Sequence, residues 1–148
     1  MTDHRAEQIM DAFTAAITGL ATTASNVKRD RYYAWDQAPS ISIFQGDDTP
    51  LPYDVRNYSI DDYLLTIHIE MHVVEANSIP VSQTLNQIRK EVIIAIQTDP
   101  TLGLSSFVID TEEGTAYQPL IEHIDQITAT QTMDFTVKYR RSRGDPSA

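Results

Sequence analysis

The sequence predicts an α+β fold: one domain with a mostly antiparallel sheet and two main helices packed on one face. Three observations carry this. Residues 63–75 alternate without a break, with Leu65, Ile67, Ile69, Met71 and Val73 on one face and Thr66, His68, Glu70 and His72 on the other. Strict period-two alternation marks a half-buried strand. Two segments instead repeat their apolar residues every three or four positions, the spacing of amphipathic helices. The predicted order of helix, two strands, loop, strand, helix and two strands fits helices segregated to one side of an antiparallel sheet.

Residues 5–20 form the first predicted helix, with Ile9, Met10, Phe13, Ile17 and Leu20 on one side and Gly19 near its end. Residues 26–33 predict a strand with Val27, Arg29, Arg31 and Tyr33 on one face and Lys28, Asp30 and Tyr32 on the other. A strand polar on both faces suits an edge or an interface. Trp35 follows at a turn, and residues 40–44 (SISIF) form a second strand. Residues 45–57 read as the longest loop, carrying Gly46, Pro50, Pro52 and aspartates 47, 48 and 54. Loops of that length are often functional.

The strand at 63–75 comes next. At roughly 3.3 Å per residue it spans about 40 Å, against about 17–20 Å for a common strand. Two readings account for the excess: a bent strand serving two parts of one sheet, or a strand that overhangs its core and pairs across a subunit boundary. After the polar turn Ala76-Asn77-Ser78, Pro80 sits near the first turn of the second helix, where its missing N–H costs nothing. Leu85, Ile88, Val92 and Ile96 line its apolar face, widened by Ile93 and Ala95. Asp99-Pro100 ends it, because the residue before proline avoids the α region. A short strand at 107–109 leads into an acidic turn at 110–114, residues 121–128 are extended, and residues 132–140 form the last strand, with Met133, Phe135, Val137 and Tyr139 on one face. Residues 1–4 and 141–148 read as flexible ends.

The chain has 148 residues, of which 41% are hydrophobic, and a net charge of −10. That is one globular domain. No run approaches the roughly 18–20 apolar residues of a membrane span, and the polar start MTDHRAEQ has no apolar signal core. The predicted setting is a reducing cytoplasm. With no cysteine, thiolate metal sites, disulfides and cysteine nucleophiles are excluded. The acidic balance argues against general nucleic-acid binding, although an acidic surface lets DNA slide past without sticking. Charge is uneven. Lys138, Arg140, Arg141 and Arg143 face only Asp145 in the tail, whereas aspartates 47, 48, 54, 61 and 62 face only Arg56 between residues 45 and 62. Such a tail and loop suit a meeting across a subunit boundary, or two solvated surfaces.

Candidate chemistry is sparse. His68-x-Glu70-x-His72 is the best metal pattern, yet residues four apart on a strand stand about 13 Å apart, and zinc binds imidazole at about 2.0–2.1 Å. No metal, cofactor or catalytic residue is therefore predicted. There is no G-x-S-x-G elbow and no phosphate-binding glycine loop. The adjacent carboxylates Glu112-Glu113 and Asp47-Asp48 read as solvated turns, and Tyr32, Tyr33 and Trp35 as core or interface aromatics.

The combined pattern resembles the tail terminator proteins of long-tailed phages, the lambda-type minor tail protein U group. The resemblance rests on the opening helix AEQIMDAFTAAITGL, the V-x-R-x-R-Y run from Val27 to Tyr32, PSISIFQGDD, the long strand and helix, Asp99-Pro100-Thr101-Leu102-Gly103, and Phe135-x-Val137-x-Tyr139. It spans nearly the whole chain. It implies a structural virion protein at the tail neck: a homohexameric ring that caps the tail tube, stops its polymerisation and offers a surface to the head-completion or neck protein. Partners would be further copies of the chain and the major tail tube protein, with DNA passing through the lumen without specific binding and no membrane involved. The family supplies no catalytic residue. Subunit or tube contacts are expected at Arg29, Arg31, Tyr33, Asp47, Asp48, Asp54, Arg56, Arg140 and Arg141. A head–tail connector or tail-completion protein is the neighbouring reading. A small metal-dependent enzyme or ligand-binding module using His68, Glu70 and His72 is the reading from another class.

Overall fold

The computed structural model describes residues 3–31, 38–52 and 59–148. Helix α1 (Arg5–Ile17) buries Ala6, Ile9, Met10, Phe13 and Ile17. His4 caps it, Nδ1 accepting the Ala6 N–H at 2.9 Å. It stops three residues short of the predicted end because Thr18 is extended and Gly19 takes φ +87°. Strand β1 (Val27–Arg29) is only three residues long. The sequence predicts a strand to residue 33, but Asp30 adopts φ +55° and breaks the extended run. Tyr32, Tyr33 and Trp35 lie outside the described residues.

Strand β2 (Ser40–Pro50) corrects the loop expectation. Its backbone keeps pairing with strand β3 (Ile60–Val74) through Asp48, Thr49 and Pro50, after a register shift between Gln45 and Asp48. The shift is a bulge, which inserts an extra residue and resets the side-chain alternation. Residues 53–57 of the predicted loop are outside the described residues. Strand β3 pairs along its whole length, from Ile60↔Ser142 to Val74↔Thr128, with the last strand. Helix α2 (Val81–Thr98) buries Val81, Leu85, Ile88, Val92 and Ile96 as the spacing requires, with Pro80 at its N-cap. The Asp99 carboxylate then accepts the Thr101 N–H at 3.1 Å, the Thr101 hydroxyl at 2.6 Å and the Gly103 N–H at 2.8 Å. These bonds, the Thr101 hydroxyl first, hold its pKa below the usual value. The DPTLG stretch is thus a self-bonded turn, with Leu102 and Gly103 both at positive φ.

Strand β4 (Val108–Ala116) runs straight through the acidic segment expected to be a turn. Glu112 and Glu113 lie exposed on this edge strand, where charge is tolerated, while Thr111 is buried and its hydroxyl donates to the Pro100 carbonyl at 2.7 Å. Strand β5 (Leu120–His123) turns back through 124–126 into strand β6 (Ile127–Ser142), which starts five residues earlier than predicted. The 121–128 segment is therefore a hairpin corner, not one extended run.

The sheet order is β1-β2-β3-β6-β4, with β5 also beside β6. Among the described strands only β1 and β2 pair in parallel. Both helices cover one face. Leu65, Ile67, Ile69, Met71 and Val73 join Ala129, Met133, Phe135, Val137 and Tyr139 beneath them in a single core. Phe13 meets Phe135 edge-on, ring centres 5.4 Å apart. Burying such side chains contributes roughly 1.5–3 kcal/mol each. The other face carries Thr66, His68, Glu70 and His72 of β3 beside Thr130, Thr132, Asp134 and Thr136 of β6. The last residues fold back on the domain: the Arg5 N–H donates to the Pro146 carbonyl at 2.8 Å, and the Ser142 N–H to the Ala148 carbonyl at 2.5 Å. No helix among the described residues is long and apolar enough to cross a membrane.

Candidate functional site

Three surfaces gather the polar residues singled out by the sequence. The first is the outer end of β3 and β6. Register places Asp62 opposite Arg140 and Asp61 opposite Arg141. Arg140 Nε lies 2.8 Å from Asp62 Oδ1, and Arg143 Nη2 lies 2.7 Å from Asp61 Oδ1. Arg143 holds the Asp61 carboxyl below the usual carboxylate range, and Asp62 pushes the Arg140 pKa up. Arg141 stacks on the Tyr63 ring, 3.9 Å from its centre. Beneath them the buried Tyr139 hydroxyl donates to Asp48 Oδ2 at 2.7 Å, and burial raises its pKa strongly. Arg140 and Arg143 of the basic tail thus pair with Asp62 and Asp61 of the same chain. Solvent screens exposed pairs of this kind, so they add little to stability.

The second surface is the β1–α1 seam. Arg29 Nη1 lies 2.5 Å from Glu7 Oε1 and 2.9 Å from Asp11 Oδ1. The Arg29 hydrogen bond lowers the Glu7 pKa despite some burial. Sequence reading missed both acidic partners, although Glu7 and Asp11 stand four apart on one helix flank, a spacing that presents them together. Asp47 is exposed at the β2 bulge, and Arg31 is half-buried after β1. Tyr33, Asp54 and Arg56 lie outside the described residues.

The third surface is the open sheet face. His68 Nδ1 lies 2.5 Å from Asp134 Oδ1, and Tyr117 Oη donates to Asp134 Oδ2 at 2.9 Å, which raises the Tyr117 pKa. His72 Nδ1 instead lies 3.3 Å from Thr130 Oγ1. The two imidazoles therefore face different partners on β6. No group of three His, Asp or Glu residues among those described is placed to hold a metal. The other ring nitrogen of His68 abuts β2, where a methyl group on Gly46 would lie 2.6 Å from Nε2. An acid–base imidazole needs that nitrogen turned toward a reactant. A cleft of about 420 Å³ opens beside Glu70, His72, Tyr117, Leu120, Glu122 and Thr130. Asp134 and Tyr117 were not singled out from sequence. The T-x-D-x-T alternation around Asp134 was the available signal.

Beside that cleft, Tyr117, Leu120, Ile121 and Ile124 are exposed, Leu120 to 64% and Ile124 to 86%. No known family model matches this chain, and no curated protein sequence matches it.

Proposed function

We propose that this chain is a structural virion protein, a tail terminator whose copies form a hexameric ring that caps the tail tube and presents the head-joining surface. The observation that supports it most is the element order. A helix, three strands with the third very long, a second helix closed by the DPTLG turn, and a final long strand ending in Phe135, Val137 and Tyr139 make up the pattern on which the resemblance rests. An assembly role also accounts for an edge strand that leaves Leu120 and Ile121 in water, since exposed apolar patches mark interaction surfaces. The charge of −10 suits a ring through which DNA slides without adhering.

The imidazoles offer the enzyme reading little, because His68 is held between Asp134 and Gly46 and His72 faces Thr130. The test is to mix the purified protein with tail tubes from the same virion and image them by negative stain. Rings, or caps at one tube end, are expected. Tubes that continue to elongate uncapped contradict the proposal.

A further inference from the structure

We propose that β5 of one subunit pairs edge-on with β1 of the next copy, so that the sheets run on from subunit to subunit. The inference rests on the ring reading. Four observations point to it.

Among the described residues the two strands stand on opposite sides of the sheet: β1 ends it beyond β2, and β5 lies on the β4 side of β6. All four residues of β5 are exposed, Leu120 and Ile121 among them, and it carries no lysine or proline of the kind that blunts an edge.

The strand directions fit. β1 is parallel to β2, β2 is antiparallel to β3, β3 to β6, and β5 to β6. β1 and β5 therefore run in opposite senses. A neighbour placed with its sheet facing the same way brings its β1 antiparallel to β5.

The levels adjoin. Through successive partners, Val27 to Arg29 trace to Gln131 to Met133 of β6, while β5 occupies Ile127 to Thr130 of the same strand. Lys28 traces to Thr132 and Glu122 pairs with Thr128, so a neighbour stepped four residues along the strands brings the two side by side.

The charges fit. Lys28 pairs in register with Ser42, opposite Glu70, and so lies on the sheet face away from the helices. Glu122 lies on that same face opposite Thr128. Joined edges put a cation and a carboxylate on one side of the shared sheet, where cross-strand pairs attract. Because β1 and β5 are different surfaces, the contact is heterologous and generates a ring where the rotation closes.

The chain has no cysteine, so a Lys28→Cys, Glu122→Cys double variant tests the contact without background. Within one subunit the two positions are separated by four strand spacings, about 19 Å, far beyond the roughly 4.4–6.8 Å Cα separation of a disulfide. Any bond must therefore join two copies. Mild oxidation of the assembled protein is expected to give a ladder of covalent multimers ending at the hexamer, while each single variant yields no ladder. Rings that form normally but stay uncross-linked when oxidised overturn this interface and leave the ring intact. A protein that forms no ring and caps no tube overturns the ring reading and this contact together.

Discussion

The ring of His68 rests against the backbone of Gly46, leaving no room for a side chain at position 46: an added Cβ would stand 2.6 Å from Nε2 and 3.0 Å from the Thr66 carbonyl oxygen. The bulge in β2 and the His68–Asp134 pair are thereby one unit. Gly46→Ala is expected to destabilise the fold by about 1–3 kcal/mol, the usual cost of overpacking. His68→Ala in the same chain should recover part of that loss. Urea unfolding of the single and double variants measures it, and additive effects would show that the two positions do not interact.

Arg29 ties β1 to α1 through Glu7 and Asp11. Its reversal, Arg29→Glu, is expected to cost about 1–2 kcal/mol of folding stability by setting three carboxylates together. The sequence places Arg29 among the expected subunit contacts, and the ion pairs give it a role in folding as well. Thermal unfolding of the isolated chain, with Glu7→Arg as the compensating partner, reads the difference.

The same pair sets a pH dependence. The folded-state pKa of Glu7 lies below its ordinary value of 4.5. A carboxyl depressed by folding contributes its stability above the unfolded pKa and loses it as pH falls through the folded one. Stability should therefore decline on acidification below about pH 4.5, and Glu7→Gln should flatten that decline. An unchanged acid limb in the variant would assign the loss to other groups, of which Asp61 and Asp99 are shifted in the same direction.

Tyr139 is fully buried and donates to Asp48, whose second oxygen, Oδ1, is buried with no hydrogen-bond partner among the described residues. Tyr139→Phe leaves that carboxylate without its donor and is expected to cost about 1–3 kcal/mol. Asp48→Asn, which removes the charge, should cost less. Equal losses in the two variants would contradict this, because Asp48→Asn keeps an acceptor for the Tyr139 hydroxyl and removes only the charge.

The helices and the central strand were legible in the sequence because their apolar residues keep one period throughout. Ile88, Val92 and Ile96 on α2 lie where the spacing puts them, as do Leu65 to Val73 on β3. The edges were not legible. At Gln45–Asp48 a bulge shifts the alternation, and Gly46, Asp47 and Pro50 read as loop residues although β3 supplies them with backbone partners. Glu112 and Glu113 read as a turn because edge strands accept charges that central strands reject. The hairpin corner at 124–126 joins two strands whose polarity patterns run on continuously. Among the polar residues, Asp62 and Arg140 were visible as charges but not as partners. Their meeting depends on the register between β3 and β6, which is set by the whole length of the two strands.

The most direct measurement is negative-stain imaging of the purified chain, alone and after addition of tail tubes. The account predicts rings with a central hole, or a cap at one end of each tube that halts its growth. A chain that remains a single subunit and leaves both tube ends bare would contradict it.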